Sequence, residues 1–356
     1  MTAWGRFCAC IMALIAPNLV MAQDQPSRFY AAGAVEFQYD IQAGSGSIST
    51  LSNTSELALG MRIGNGFSIE STLIYEPVRG ASSTQYLAAH GLYAETLMLQ
   101  YTGDNFTVFA GKIDPVFGLA WDLAPGLYGT EFAKEYQLTE RVGFGADINL
   151  GGAFGAGKHG EHILSASLYR SDTSFLSDSL FTRRGHVHHD DGGTANTQGL
   201  SSFAIALDGM EIPGLSGFAY HIAVRSQGSD VGNARREKGV VGGITYDHEM
   251  RAGYEMALIA EASHIWHADG QLHHEVTIGT LGAMVSKKDW SVSADYLSRT
   301  VNNKMGLPGS PDSHQIQLSV GHNLAHNLAL EAGWKRISQS GSNANVFGML
   351  FSFTFG

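Results

Sequence analysis

Hydrophobic and polar residues alternate along most of this chain, in a series of short runs. Near the C-terminus, for example, the apolar residues Ile316, Leu318 and Val320 are separated by polar ones. The final run places large apolar side chains at every second position: Phe347, Met349, Phe351, Phe353 and Phe355. A period of two indicates β-strands, because successive side chains of a strand point to opposite faces. The pattern therefore predicts an all-β protein.

About sixteen runs of this kind can be recognised, and each is predicted to form one antiparallel strand. They lie at 28–42, 55–64, 67–78, 91–102, 105–113, 141–151, 161–170, 199–208, 216–226, 239–248, 253–266, 275–286, 289–300, 313–322, 327–338 and 345–355. The runs between 91 and 113 fit least well, because Glu95 falls on the apolar face. Short turns such as Asn65-Gly66 alternate with long connections such as 113–140 and 171–198. This asymmetry is typical of an up-and-down barrel with short periplasmic turns and long extracellular loops.

Periodicity alone fits two classes of protein, a soluble β-sandwich or barrel and a transmembrane barrel. The N-terminus favours the second class. Arg6 and the apolar stretch 7–20 resemble a secretory signal peptide, with cleavage expected before Gln23. We therefore expect residues 1–22 to be a cleaved signal and residues 23–356 to form one transmembrane β-barrel. Aromatic girdles at the membrane interfaces would then contain the remaining tryptophans: Trp121, Trp266, Trp290 and Trp334.

Composition excludes several functions. The formal net charge is −11, and removing a signal whose only charge is Arg6 makes it −12, which argues against nucleic acid as a partner. Both cysteines, Cys8 and Cys10, lie in the predicted signal. The mature chain would then have neither disulfides nor thiolate metal sites, and no cofactor is expected.

Local sequence resembles a known family in three places: the C-terminal strand 346–355, the segment 109–122 and the segment 136–145. The chain resembles the Gram-negative outer-membrane porins, although Gly356 follows the terminal Phe355 that barrel-assembly signals usually end on. The resemblance implies contact with outer-membrane lipid and lipopolysaccharide, insertion by the barrel-assembly machinery, a water-filled lumen for small hydrophilic solutes, and a homotrimer. The Pro-Glu-Phe-Gly-Gly-Asp run of enteric general porins is absent, so the resemblance carries over an architecture and not a substrate.

Two other functions stay open at the sequence level, a structural or adhesive barrel and an outer-membrane hydrolase. The chain has no Gly-x-Ser-x-Gly, His-Glu-x-x-His or phosphate-binding Gly-Lys-Ser/Thr motif. We therefore expect no enzyme. The segment 183–191 contains His186, His188 and His189 beside Asp190 and Asp191. Imidazole and carboxylate groups can bind zinc, but the spacing matches no known site, and a solvated loop is the preferred interpretation.

The predicted lumen-facing positions are mainly acidic, and rings of like charge set the ion selectivity of pores. The acidic set is Glu36, Asp40, Glu56, Glu70, Glu76, Asp147, Asp247, Glu255, Glu261, Asp295 and Glu331. The basic set is smaller: Arg62, Arg141, Arg225, Arg299 and Lys335. The imbalance predicts a modest preference for cations.

The connection from about 113 to 140 is too apolar for a solvated loop, since it includes Phe117, Trp121, Tyr128 and Phe132. It is the third long loop, which in porins folds into the barrel and narrows the channel. We expect an inward fold and a constriction formed by charges of this loop and basic wall residues. The candidate residues on the loop are Asp114, Asp122, Glu131, Lys134, Glu135 and Glu140, and those on the wall are Arg62 and Arg141. The alternative is a loop that caps the barrel or forms a subunit contact.

Overall fold

In the computed structural model, which describes residues 28–44, 47–154, 156–232, 234–303 and 311–356, the chain is a closed β-barrel. Its sixteen long strands are labelled β1 to β16. Among themselves they pair as antiparallel neighbours in chain order, and β1 also pairs with β16. They span Phe29–Ala43, Ile48–Gly64, Phe67–Pro77, His90–Thr102, Phe106–Ile113, Arg141–Asn149, Glu161–Ser171, Ser202–Met210, Phe218–Gln227, Glu237–Glu249, Glu255–Trp266, His274–Lys287, Trp290–Asn303, Ser313–Ala325, Leu328–Gln339 and Ser342–Phe355. The predicted fold class, strand number and order are confirmed. The expected signal, 1–22, lies outside the described residues and stays a prediction.

The barrel is apolar outside and polar inside. On β14, Ile316 and Leu318 are 49% and 50% exposed, whereas Gln315 and Gln317 between them are 0% exposed. In a soluble barrel the apolar face would point inward, so the exposed apolar residues decide between the two classes of barrel. The outer surface is the lipid-facing surface of a transmembrane barrel.

The tryptophans divide between several places. Trp290 and Trp266 are exposed at opposite ends of the barrel, where interfacial girdles are expected. Trp334 is partly exposed and pairs with Phe347 in the wall. Trp121 belongs to no girdle, because it lies in a loop inside the barrel, so the expectation for this residue is wrong.

Within the described residues, short helices lie only in the connections between strands. The α-helices found there are α1, Ala120–Leu123, and α2, Leu150–Phe154. Turns of 3₁₀ helix lie at Ala133–Glu135, Ala156–His159, Phe175–Ser177, His189–Asp191, Arg251–Gly253 and Ala268–Gly270. Two-residue strands at Gln85–Tyr86 and Leu180–Phe181 join loops to the barrel. None of the helices in the described part of the chain is long and apolar enough to span a bilayer.

The long connections 78–89, 114–140 and 172–201 all leave the same end of the barrel. The other end of the barrel holds the start of β1, the end of β16 and the turns 65–66, 103–105, 288–289 and 326–327. This arrangement makes residues 114–140, called the inner loop below, the third connection at the long-loop end. The connection between β15 and β16 at the same end is only a tight turn, residues 340–341.

A β-bulge in β4 explains the run that fitted the alternation least well. Thr72 pairs with Thr96 and Leu73 with Ala94, which leaves Glu95 as the extra residue. A bulge inserts one residue into a strand and re-aims the side chains beside it. Glu95 therefore points into the barrel although strict alternation would place it outside.

Candidate functional site

The inner loop lies against the lumen-facing side of the wall. Its first turn donates backbone N–H groups to buried wall residues, from Gly118 to His221 Nε2 at 2.9 Å and from Leu119 and Ala120 to the Glu261 carboxylate at 2.7 and 2.9 Å. Both wall residues belong to strands on one side of the barrel, β9 and β11.

Further along, the same loop contacts the opposite side of the barrel. The N–H of Leu127 donates to Ser319 Oγ at 3.0 Å, and Gln315 donates to the carbonyl oxygen of Tyr128 at 3.0 Å. The Tyr128 hydroxyl donates to Asp40 of β1 at 2.5 Å. The loop therefore crosses the lumen from β9 to β1, with buried contacts at both ends.

Ion pairs add to these contacts. Lys335 of β15 lies 2.5 Å from Glu131, and Arg299 of β13 lies 2.5 Å from Glu135. Phe117, Phe132 and other apolar side chains of the loop are buried between it and the wall. Burial of these residues explains why the loop is so apolar.

The loop leaves open a cavity of about 1020 Å³ on its other side, between itself and strands β1 to β4. Trp121, Asp122, Thr130 and Lys134 line the cavity from the loop. Opposite them, the wall contributes Tyr93 and a group of carboxylates: Glu36, Glu56, Glu76 and Glu95. The cavity extends to the short-turn end, where Glu255, Lys288 and Asp289 line it.

Negative charge dominates this cavity, with seven carboxylates and two lysines among the lining residues. Burial raises the pKa of the Asp122 carboxyl to about 6; the charge of Glu56 acts in the same direction and Lys134 opposes it. A field of this sign favours positive ions over negative ones.

Two of the eight sequence-predicted residues, Asp122 and Lys134, line the cavity. Glu131 and Glu135 are the loop partners in the ion pairs with the wall. Asp114 accepts a hydrogen bond from the N–H of Glu140 at 2.7 Å and so closes the base of the loop; burial raises the pKa of this carboxyl well above its usual range.

Glu140 connects the base of the inner loop to the loop that follows β7. It binds Lys112 at 2.7 Å and pairs with both terminal nitrogens of Arg184. The Arg184 guanidinium also stacks on the Tyr93 ring, 3.8 Å from its centroid. Glu140 is thus part of a latch between two loops and does not line the cavity.

The predicted basic wall needs a correction. Arg141 donates a hydrogen bond to Ser171, the last residue of β7, at 3.2 Å. The Arg62 guanidinium lies 5.2 Å from the Tyr30 ring centroid. Neither lines the cavity, and the wall opposite the loop is acidic. Alternation identifies which side chains face inward, but only the path of the loop decides which strands face the cavity.

The histidine segment shows no metal site. The His186 and His188 rings are 4.5 Å apart, and His186 Nε2 lies 3.0 Å from the Thr173 carbonyl oxygen. Within the described ranges, no group of three His, Cys, Asp or Glu side chains is arranged to hold a metal ion.

No model of a protein family matches this chain, and no curated protein matches it by sequence. Solved structures do match. Pseudomonas putida OprB aligns over 92% of this chain and 94% of its own, with a TM-score of 0.64 and 10% identity. The chain has the porin fold.

Two further structures agree. A mutant of the Rh. blastica porin aligns over 92% of this chain and 100% of its own, with a TM-score of 0.55 and 14% identity. The trimer form of OmpT, an outer membrane protein of Vibrio cholerae, aligns over 92% and 99%, with a TM-score of 0.54 and 8% identity. The barrel of this chain therefore has the fold of outer-membrane porins, and its function must be argued from its own lumen.

Proposed function

We propose that this protein is an outer-membrane porin that lets small polar solutes and ions diffuse passively, with a modest preference for cations. The observation that carries the proposal is the cavity of about 1020 Å³ between the inner loop and an acidic wall. A barrel of this strand number is wide enough for an aqueous lumen. Excess carboxylates along the path attract cations and repel anions.

The proposal includes two further points. No reaction is catalysed, because diffusion through a lined pore needs no chemical step. The protein forms a homotrimer, a proposal that draws support from the Vibrio cholerae barrel described as a trimer form.

The test is a planar-bilayer recording of the purified, refolded protein. We expect discrete conductance steps. In a salt gradient, we expect a reversal potential of the sign that indicates greater permeability to cations than to anions. If the barrel is correctly refolded, as shown by its heat-modifiable migration on gels, but gives no conductance steps, the proposed pore is contradicted. A reversal potential of the sign expected for anion permeation would contradict the cation preference. Esterase and protease assays on the same preparation should show no activity.

A further inference from the structure

Glu261 on β11 is a buried carboxylate that is held almost entirely by the inner loop. Its side chain belongs to a residue that is 4% exposed, and it accepts hydrogen bonds from Leu119 N, Ala120 N and the Tyr136 hydroxyl. Among the described residues it forms no salt bridge. A buried charge without a counter-ion is costly unless hydrogen bonds replace its hydration. Three donors from one loop supply that replacement here.

His221 on β9 binds the loop residue that precedes the two bound by Glu261, namely Gly118. Its ring is fully buried, Nε2 accepts from Gly118 N at 2.9 Å, and Nδ1 lies 2.8 Å from Asp208 Oδ1. An amide N–H can only donate, so Nε2 carries the lone pair and Nδ1 donates to Asp208. Three consecutive amides, from Gly118 to Ala120, are therefore fixed by two wall residues.

Glycines make room for this contact. Gly118 has a φ of +90°, and a Cβ there would lie 2.6 Å from the Tyr136 ring and 3.1 Å from the Glu261 carboxylate. A Cβ on Gly243, the cross-strand neighbour of Glu261, would lie 2.8 Å from Glu261 Oε2. The loop backbone can approach the carboxylate only because these side chains are absent.

The two residues that follow the fixed amides are Trp121 and Asp122, whose side chains line the pore. We infer that Glu261 is a positioning residue that sets the selectivity of the pore by holding the turn that aims Asp122 into it. Glu261 does not itself line the cavity; it acts on permeating ions through Asp122. The inference rests on the proposed porin function.

Glu261→Gln tests the inference, because the new amide NH₂ would face backbone N–H donors and at least one of the three hydrogen bonds is lost. We expect the cation-to-anion permeability ratio to fall by about twofold, since one pore carboxylate leaves its place. Tyr136→Phe removes a single donor and no charge, and we expect a smaller shift in the same direction. Asp147→Asn is the matched control. Asp147 belongs to the acidic set predicted from the sequence and faces inward on β6, but the structure places it outside the cavity lining, so this variant removes a wall charge away from the proposed ion path.

A second readout follows the loop itself. In a background in which Trp266, Trp290 and Trp334 are replaced by Phe, quenching by acrylamide reports on Trp121 alone in the mature chain. We expect quenching to increase in Glu261→Gln and Tyr136→Phe and to stay unchanged in Asp147→Asn. This measurement does not depend on conduction, so it tests the anchoring even if the wild-type barrel gives no channels.

The possible outcomes distinguish failure of this inference from failure of the proposed function. Wild-type selectivity and quenching in an assembled Glu261→Gln barrel would overturn the inference, and so would an equal selectivity shift in Asp147→Asn, which would mean that only net charge matters. Absence of channels in the wild type would instead refute the proposed function. If Glu261→Gln fails to assemble, Tyr136→Phe decides, and wild-type values for both readouts in that variant overturn the inference.

Discussion

Asp122 is the only carboxylate that the inner loop presents to the cavity, and it faces a wall that is already acidic. Lys134 on the same loop partly compensates this charge. In the proposed pore, a permeating ion would therefore meet several negative groups and one nearby positive group. In the proposed porin, individual side chains of this kind would set the ion selectivity, whereas the barrel provides the lumen.

Replacing Asp122 by Asn should lower the preference for cations. One of the carboxylates around the cavity is lost and the size of the side chain is kept, so the permeability ratio should fall by about twofold while conductance changes little. The reversal potential in a potassium chloride gradient measures the change. Lys134→Met removes the opposing charge and should raise the ratio. A fall in both variants would contradict this account of the field.

Lowering the pH should reproduce the effect of the Asn substitution. The pKa of Asp122 is raised to about 6 by burial, so the group is ionised at pH 7.5 and mostly protonated at pH 5. The cation preference should therefore decrease as the pH falls through about 6. Glu36, Glu56 and Glu95 face the same space and add their own titration. The part due to Asp122 is the difference between wild type and Asp122→Asn, and equal pH profiles for the two would refute its role.

At the scale of an element, the position of the inner loop depends on close backbone approach at glycine as well as on polar contacts. Gly126 has a φ of +77°, and a Cβ there would lie 2.1 Å from Gln317 Nε2 and 2.4 Å from Ser293 Oγ. The loop backbone is thus pressed against the wall with no space for a side chain.

Gly126→Ala should push the loop away from the wall. Left-handed strain in a non-glycine residue costs about 1–3 kcal/mol, and the clash adds to it. We expect lower and noisier single-channel conductance in a barrel that still assembles, because the displaced loop backbone moves into the cavity on its other side. Gly80→Ala is the control, because a Cβ at Gly80 meets nothing within 4 Å. Wild-type conductance in Gly126→Ala would show that the loop tolerates the substitution without narrowing the pore.

Strands were easier to predict than the site, for a physical reason. Alternation is a local property, so Gln315, Gln317 and their neighbours could be assigned to the inner face from sequence alone. The direction of Glu95 depends on a bulge, and a bulge is a mismatch between two strands that neither strand shows by itself. The roles of Glu261 and His221 depend on a loop more than one hundred residues away in sequence. Their inward direction could be predicted, but their partners could not.

At the scale of the whole molecule, the apolar exterior fixes the barrel in a bilayer. Leu318, half-exposed near the middle of β14, should tolerate Phe but not Lys. A lysine at mid-membrane depth on the lipid face costs about 2–4 kcal/mol. Urea unfolding in lipid vesicles measures this cost, with Leu318→Phe as the matched control. Equal stability of the two variants would mean that this face is covered by protein rather than lipid.

The pairing that closes the barrel joins Gly33 of β1 to Phe355 of β16, the two ends of the strand sequence. Contacts between residues so distant along the chain are slow to form, because the entropy of closing such a long segment must be lost first. Until that last step both end strands keep unpaired backbone edges, which are templates for aggregation. The strand β16 therefore also controls when the barrel forms: in a chain synthesised from the N-terminus, the barrel cannot close before β16 has been made.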